Sequence, residues 1–182
     1  MKKVNNILVA IGIFGLIVCC GCGYTTRVYI GPYQSIYVAP FKNNVNVAST
    51  GSEYSRYVSY YPLLESTITS AVIDRFIFDG NLKVIKQENA DIVLKGELIS
   101  YKRDAARYAE NNEDVTEYRI TIIINMGLYN NKTGEQIWQK NSFAGDSSYH
   151  ITGSQAKTEK AALDSAISDL ARRVVEELVE AW

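Results

Sequence analysis

The strongest constraint on the fold of this chain is a strictly alternating run in its second half. Between residues 119 and 128 every second side chain is large and apolar, and the positions between are mostly polar or small. The apolar members are Ile120, Ile122, Ile124, Met126 and Leu128. Successive side chains of a β-strand point to opposite faces, so this period predicts a strand with one face committed to a core.

Further strands are predicted on both sides of this run. Short β-branched or aromatic runs at 35–41, 82–85 and 92–99 have the composition of strands. The polar segment 130–134 contains residues that tolerate positive φ and predicts a hairpin turn. The segment 135–148 then completes an antiparallel pair with the alternating strand.

Two segments have the period of amphipathic helices. The first carries one apolar face and ends at Asp79-Gly80; the face consists of Leu64, Ile68, Ala71, Val72 and Phe76. The second, at about 154–182, has an apolar stripe from Leu163 to Leu178. Its polar face is acidic as often as basic, which favours packing on a sheet over lying on a membrane.

The order of these elements predicts an α+β fold. We expect a two-layer sandwich of order β-α-β-β-β-α, with two helices packed on one face of a mainly antiparallel four-stranded sheet. The length of 182 residues is about one domain's worth of chain.

The first residues have the features of an export signal. Lys2-Lys3 precedes an almost purely apolar run at 7–18, which is short for a membrane span but typical of a signal-peptide core. All three cysteines follow at once, at 19, 20 and 22. We therefore predict a lipoprotein signal peptide at 1–21 and a single α+β domain at 22–182. An uncleaved membrane anchor is the alternative.

The clustered cysteines resemble the lipobox of bacterial lipoproteins, in which the cysteine after the cleavage site carries the lipid. Cys22 has Gly21 before it, as the pattern requires, but Cys19 where an apolar residue is usual. We predict lipid attachment at Cys22, with Cys20 as the alternative. Two fatty chains on a diglyceride and an acylated amine form a durable anchor. The next residue, Gly23, resembles the outer-membrane default, which predicts the periplasmic face of the outer membrane.

Residue spacing argues against catalysis, cofactors and metals. The single histidine, His150, lies in a polar segment with no nucleophile motif nearby. The cysteines have no distant partner ligands for a metal, and no glycine-rich phosphate loop is visible. A net charge of −1 offers no general attraction for nucleic acid. We expect a protein that is not an enzyme and that binds no metal, cofactor or nucleic acid.

Tyrosine and a small group of cations are the remaining features. The chain has 13 tyrosines, and Tyr54, Tyr57, Tyr60 and Tyr61 crowd into the loop before the first helix. Tyrosine gives large contact area at low entropic cost, so this loop is a candidate contact surface; packing over the sheet edge is the alternative. Lys102, Arg103 and Arg107 could meet phosphate groups, or they form a solvated charge run offset by Asp104.

Several short motifs resemble the LptE-like lipopolysaccharide-assembly lipoproteins. Cys-Gly-Tyr at 22–24 and Ile-Tyr-Val-Ala-Pro-Phe-Lys-Asn at 36–43 look like the opening of that family. Arg-Phe-Ile-Phe-Asp-Gly at 75–80, Ala-Asp-Ile-Val-Leu-Lys-Gly-Glu-Leu at 90–98 and Thr-Gly-Glu-Gln-Ile-Trp at 133–138 follow in order, before the long C-terminal helix. The resemblance covers essentially the whole mature chain.

The resemblance implies a non-enzymatic role at the outer membrane. Such lipoproteins sit in the lumen of an LptD-type β-barrel translocon, help it assemble and plug it, and they assist the transfer of lipopolysaccharide to the outer leaflet. A plug needs a polar outer face to match a polar lumen. On this reading Tyr54, Tyr57, Tyr60 and Tyr61 are candidate barrel contacts. The candidate lipopolysaccharide-binding residues, chosen for charge and loop position, are Lys102, Arg103, Arg107 and Lys132.

A second resemblance remains open. Val-Ala-Pro-Phe at 38–41 and the strand at 90–97 are also similar to the periplasmic domains of curli-secretion-type lipoproteins, which oligomerise into pores. A pore former needs membrane-inserting hairpins that alternate over about ten residues each. Only the strand at 118–129 approaches this pattern, so the pore is the alternative interpretation.

Overall fold

The structure of the chain is a computed structural model that describes residues 32–45, 61–110 and 114–180. Its strands and helices, in chain order, are β1 (Ser35–Val38), β2 (Lys42–Asn43), α1 (Leu64–Asp79), β3 (Lys83–Val84), β4 (Ile92–Tyr108), β5 (Val115–Asn130), β6 (Gln136–His150) and α2 (Glu159–Glu180). The predicted signal peptide at 1–21 and the domain boundary after it lie outside the described residues.

The strands form one mixed sheet in the order β3-β1-β4-β5-β6, and β2 also pairs with β4. The long strands β4, β5 and β6 are antiparallel, whereas β1 is parallel to both β3 and β4. The predicted α+β class is confirmed. The predicted count of four strands was too low, because six are present in the described part of the chain. The parallel pairs were missed because α1 acts as a crossover between β1 and β3, which are short.

The first predicted strand is divided at proline. The segment predicted at 35–41 forms β1 and, after a break at Ala39-Pro40, continues as β2, and both parts run parallel to β4. Pro40 has no N–H to donate to the ladder, which explains the break. Phe41, at the break, packs its ring over Gly96 of β4, where an added Cβ would lie 2.5 Å from the ring. Its N–H donates to Thr69 Oγ1 of α1 at 3.0 Å.

Strand β4 is longer than its apolar pattern predicted. The apolar run ends near residue 99, yet the strand continues to Tyr108 because β5 offers paired backbone groups as far as Val115. The sheet therefore has two distinct ends. The near end contains the starts of β1 and β4 and the β5–β6 turn; the far end contains the end of β4 and the start of β5.

The end of α1 and the start of α2 each have an identifiable cause. Helix α1 ends where predicted: Gly80 adopts φ 74° and its N–H donates to Phe76 O at 3.0 Å. Helix α2 begins at Glu159, later than the predicted position near 154. Thr158 explains the difference, because its Oγ1 accepts the Ala161 N–H at 3.2 Å and so caps the helix.

The core lies between the helices and one face of the sheet. It includes the alternating residues of β5, of which Ile120, Ile122 and Ile124 are fully buried. Helix α2 approaches β6 so closely at Gly145 that an added Cβ would lie 2.5 Å from Leu170 Cβ and 2.6 Å from its Cα. Both helices cover this one face, as predicted.

The outermost strand, β6, has two local irregularities. Ser142 adopts φ 53° in a bulge opposite Asn125, whose Oδ1 accepts the Ser142 N–H at 2.9 Å. Farther along, the Asp146 N–H donates to Asp169 Oδ2 of α2 at 3.2 Å. One backbone donor of the strand is thus bonded to a helix side chain.

Candidate functional site

The candidate site is the face of β4, β5 and β6 that points away from both helices, which we call the outer face. Because side chains alternate, it carries the residues between the buried ones of β5. Cross-strand partners define its rows, which include Lys95–Gly127–Gln139, Glu97–Asn125, Ser100–Ile123–Ala144, Lys102–Thr121–Asp146 and Asp104–Arg119–Ser148. The row through Ile123 carries no charge, while the flanking rows carry charges of both signs. The outer face therefore has a neutral centre and a polar rim.

A groove of about 550 Å³ lies on the outer face toward the near end. We call it the outer groove; its lining is Ala39, Pro40, Lys42, Lys95, Glu97, Asn125, Met126, Gly127, Tyr129, Gln139 and Asn141. Lys95 Nζ lies 4.5 Å from the centre of the Tyr129 ring. An ammonium group over a ring face is stabilised there and still has donors for a ligand. The groove thus presents two exposed cations, Lys42 and Lys95, beside amide side chains and the carboxylate of Glu97, which is the cross-strand partner of Lys42.

The opposite side of the same strands holds an interior ion pair among tyrosines. Arg103 Nη1 lies 2.5 Å from Glu159 Oε2, with the side chains 20% and 23% exposed. Glu159 Oε1 accepts the Tyr61 hydroxyl at 3.0 Å and lies 3.4 Å from that of Tyr101. The Arg103 guanidinium lies 4.8 Å from the centre of the Tyr118 ring. These contacts join β4, β5 and the first turn of α2 into one polar cluster.

The pKa values in this cluster follow from burial and from the charge of Glu159. Burial raises the pKa of Tyr101, and the nearby Glu159 carboxylate raises it further. The pKa of Tyr61 is raised for the same two reasons, burial first. Burial alone would lower the pKa of Arg103, but the hydrogen bond and charge of Glu159 outweigh it, so the pKa rises. Arg103 thus stays cationic and the tyrosines stay neutral.

The four cations proposed from the sequence are not brought together. Lys102 lies on the outer face, opposite Thr121, whereas Arg103 points to the helix side, where it binds Glu159. Arg107 lies near the far end, with Nε 3.5 Å from Glu117 Oε2. Lys132 is in the near-end turn, about ten residues of β4 from Lys102, or roughly 33 Å. Lys102 and Arg107 could therefore share a ligand on the outer face, but the whole set could not.

The predicted tyrosine loop and lipid site lie mostly outside the described residues. Cys22 and three of the four loop tyrosines, Tyr54, Tyr57 and Tyr60, fall there. Tyr61 is described, and it packs edge-on against Tyr101 with ring centres 5.5 Å apart. Its role as a barrel contact stays a prediction, although its hydroxyl is bonded to Glu159.

One motif residue fixes the near end of the sheet. Asp91 Oδ2 accepts the N–H groups of Gln34 and Ser35 at 3.1 Å and the Ser35 hydroxyl at 2.7 Å. The hydroxyl bond is the largest of the contacts that hold the pKa of Asp91 below its usual value. Asn131, in the β5–β6 turn, donates its N–H to Asp91 O at 2.9 Å. Asp91 thus ties the start of β1 to β4.

The described residues contain neither a metal-ligand cluster nor a membrane-spanning helix. Within 32–45, 61–110 and 114–180, no three His, Cys, Asp or Glu side chains gather as metal ligands would. Neither described helix combines the length and apolar character needed to cross a membrane.

The outer groove is the feature that sequence reasoning missed. Its signal was present, because Lys95 interrupts the apolar run 92–98 at a position that alternation assigns to the outer face. The sequence could not predict that Lys42 lines the outer groove, because this depends on the pairing of β2 with β4.

Comparison with known proteins gives a match to one family model and similarity to several solved structures. A family model described as LptE, lipopolysaccharide-assembly, matches residues 33–181. The structure of protein XCC0632 from Xanthomonas campestris aligns with TM-score 0.55 and 14% identity, covering 81% of this chain and 84% of that one. The hypothetical protein CT253 from Chlamydia trachomatis aligns with TM-score 0.50 and 15% identity, covering 82% and 99%. No curated protein sequence gives a significant match. The two structures establish a shared fold.

Proposed function

The chain belongs to the LptE lipopolysaccharide-assembly family, and from this premise we propose that it plugs an LptD-type β-barrel translocon of the outer membrane. In this role it helps the barrel assemble and assists lipopolysaccharide transport to the outer leaflet. Lipid on Cys22 holds it on the periplasmic face of that membrane. We propose no enzymatic activity and no cofactor, since this role requires only non-covalent binding to the barrel and to lipopolysaccharide.

The observation that carries the proposal is the outer face, which neither helix of the described part of the chain covers. A sheet whose other face is packed against two helices offers a rigid surface, because its strands cannot shift without disturbing the core. The outer face is polar, as is the lumen of a large outer-membrane barrel. Stable interfaces have a core depleted of charge and a polar rim, which is the pattern around the row of Ser100, Ile123 and Ala144.

The helix side is a weaker candidate for the barrel contact. The exposed surface of α2 is dense in charge and pairs within itself, as in Lys160–Asp164 at 3.1 Å and Arg172–Glu176 at 2.5 Å. Such pairs are already satisfied by one another and by water, so burying them costs more than burying neutral side chains. We therefore assign the barrel contact to the outer face.

Lipopolysaccharide binding is proposed at cations of the outer face. Phosphate groups of the lipid would be recognised by ammonium and guanidinium groups. The outer groove supplies Lys42 and Lys95, and Lys102 and Arg107 lie farther along the same face. Arg103 would have to leave Glu159 before it could contribute, and Lys132 could act only separately.

Detergent extraction with an affinity tag on the full chain tests the plug. We expect a barrel of translocon size to be recovered in near one-to-one ratio. Recovery of a homo-oligomeric ring would favour the curli-secretion-type pore instead. Recovery of the chain alone from outer-membrane extracts would contradict both.

A matched pair of substitutions tests whether the outer face or the helix side contacts the barrel. Ala144→Arg places a bulky cation at the neutral centre of the outer face, and Ala161→Arg places the same group on the exposed surface of α2. We expect the first to lower barrel recovery strongly and the second to leave it unchanged, with both chains showing the same thermal unfolding midpoint. Loss with Ala161→Arg alone would move the contact to the helix side.

Pairs of substitutions that replace a cation with neutral glutamine test the lipid site. Lys42→Gln with Lys95→Gln removes two cations from the groove, and Lys102→Gln with Arg107→Gln removes two from farther along the face. Binding of purified lipopolysaccharide should fall with at least one pair, and Lys160→Gln with Arg172→Gln on the exposed surface of α2 serves as the charge-matched control. Unchanged binding in both outer-face double variants would remove the outer face from lipid recognition.

A further inference from the structure

The C-terminal end of α1 presents two adjacent apolar side chains to solvent. Ile77 is 63% exposed and Phe78 is 80% exposed, although both follow the fully buried Phe76. The Arg75 guanidinium lies 5.2 Å from the centre of the Phe78 ring. We call Arg75, Ile77 and Phe78 the α1 tip. Isolated exposed apolar residues are common, but two neighbours with an arginine over the ring form a defined apolar projection.

The α1 tip lies at the end of the fold where the N-terminal segment enters. Gly80 ends the helix, and the chain then reaches β3, where Lys83 pairs with Ser35 at the start of β1. The other end of α1 points toward the middle of the sheet, since Tyr61 packs on Tyr101. The tip and the segment before Ser35 therefore share the near end.

The position of the proposed anchor sets what the tip can reach. Nine residues lie between Cys22 and Pro32, the first described residue, and the ten Cα–Cα steps span at most about 35 Å when extended. A lipid on Cys22 therefore keeps the near end close to the membrane surface. The far end, marked by the exposed Tyr108, is 16 residues of β4 from Ile92, or roughly 50 Å away.

We propose that the α1 tip inserts Ile77 and Phe78 into the phospholipid surface of the membrane that holds the lipid anchor. The inference rests on the proposed lipid attachment and adds a second contact that fixes the orientation of the domain. The Arg75 guanidinium lies over the Phe78 ring and 4.0 Å from Glu176 Oε1 of α2, so it can stay at the level of the phosphates beside the inserted ring. The near end then faces the membrane.

The contact is apolar and not electrostatic. Exposed Lys83, Lys86 and Lys132 at this end are balanced by the exposed carboxylates of Asp74, Glu88 and Glu135. Attraction to anionic lipids needs an excess of cations, which this end lacks. Insertion of the tip should therefore depend little on salt or on the fraction of anionic lipid.

Depth-dependent quenching on the full lipidated chain tests the inference. Bimane is attached at Phe78→Cys or, as the matched control, at Tyr108→Cys, an aromatic that is 51% exposed at the far end. With cleavage before Cys22, Cys19 and Cys20 are removed and acylated Cys22 has no free thiol, so the introduced cysteine is the only one labelled. The chains are reconstituted in phosphatidylethanolamine–phosphatidylglycerol vesicles containing acyl-brominated phosphatidylcholine.

We expect quenching at position 78 to exceed that at 108 by about threefold, because acyl-chain quenchers act only on inserted groups. The excess should persist when the anionic lipid fraction is halved and when the barrel is bound. Equal quenching at both positions in chains that float with the vesicles would overturn the inference alone. Chains that fail to float would overturn the lipid anchor and the inference together. Loss of quenching only when the barrel binds would reassign the tip to a barrel contact.

Discussion

The two faces of strands β4, β5 and β6 are built from neighbouring residues yet differ in every physical respect. On the helix side Ile122 is fully buried beneath α2, while on the outer face Ile123 stands among polar neighbours. On the helix side the guanidinium of Arg103 is paired at 2.5 Å; on the outer face that of Arg119 lies 3.9 Å from Asp146. One face determines the fold, and the other is left free for contacts.

The difference shows how a small domain can be both rigid and adaptable at its surface. Because one face supplies the packing free energy, substitutions on the other can change contacts with little cost in stability. Three pairs of substitutions, one residue on each face, test this difference, and a single substitution tests the near end.

The largest expected difference is between Ile122→Ala and Ile123→Ala. Truncation of the buried Ile122 should lower the free energy of unfolding by about 2–5 kcal/mol, since it removes apolar contact and leaves a cavity. Truncation of Ile123 should cost less than about 1 kcal/mol. Denaturant unfolding of the two variants measures both values. Equal losses would mean that the outer face is covered in the isolated chain.

The second pair concerns glycines. Gly145→Ala brings a Cβ to 2.5 Å from Leu170 Cβ and 2.6 Å from its backbone, so α2 must shift; overpacking of this kind costs about 1–3 kcal/mol. Gly127→Ala meets only the Tyr129 ring, at 3.1 Å, which can rotate away. Thermal unfolding should therefore show a lowered midpoint for the first variant alone. A tolerated Gly145→Ala would show that the helix layer is loosely packed.

The third pair removes an arginine from each face. Arg103→Met leaves the partly buried Glu159 without its cation and should cost about 1–2 kcal/mol. Arg119→Met removes an exposed pair, with side chains 58% and 45% accessible, and should cost less than about 0.5 kcal/mol. Chemical denaturation at low and high salt separates them, because salt screens only the exposed pair appreciably.

The smallest expected effect tests the near end, where the faces meet. Asp91→Asn should cost about 1 kcal/mol at neutral pH, because it weakens the bonds to Ser35 and Gln34. The folded pKa of Asp91 is depressed, so its stabilisation is present above the unfolded pKa, near 3.9, and is lost as pH falls through the folded value. The difference in unfolding free energy between wild type and variant should shrink below about pH 4. A constant difference down to pH 2 would contradict this assignment.

The two faces were unequally predictable from sequence. The buried face follows from local periodicity, so the alternation around Ile122 and the stop at Gly80 gave correct elements. Sequence could not reveal the parallel pairing of β1 with β3 and β4, because β3 is two residues long and its partners are distant in the chain. Pairing between segments that are distant in the chain produces no periodic pattern in the sequence from which it could be predicted.

The candidate site was harder to predict for the same reason. Lys102 and Arg103 are adjacent in sequence and were grouped by charge, but adjacent strand residues point to opposite faces. Arg103 finds its partner 56 residues away, at Glu159, through the docking of α2. Lys95 and Lys42 share the outer groove only because β2 pairs with β4. Tertiary pairing, and not local charge density, decides which cations share a surface.

The irregularities of β6 affect how the unbound domain could associate with other chains. An outermost strand of 15 residues would ordinarily be a template on which a second molecule could add its own strand, the first step of aggregation. Here the Ser142 bulge kinks the row of backbone donors, and Asp169 occupies the Asp146 N–H while placing a carboxylate beside the strand. An approaching strand meets a bend and a charge where it needs a straight ladder, so these two features oppose strand addition at this edge.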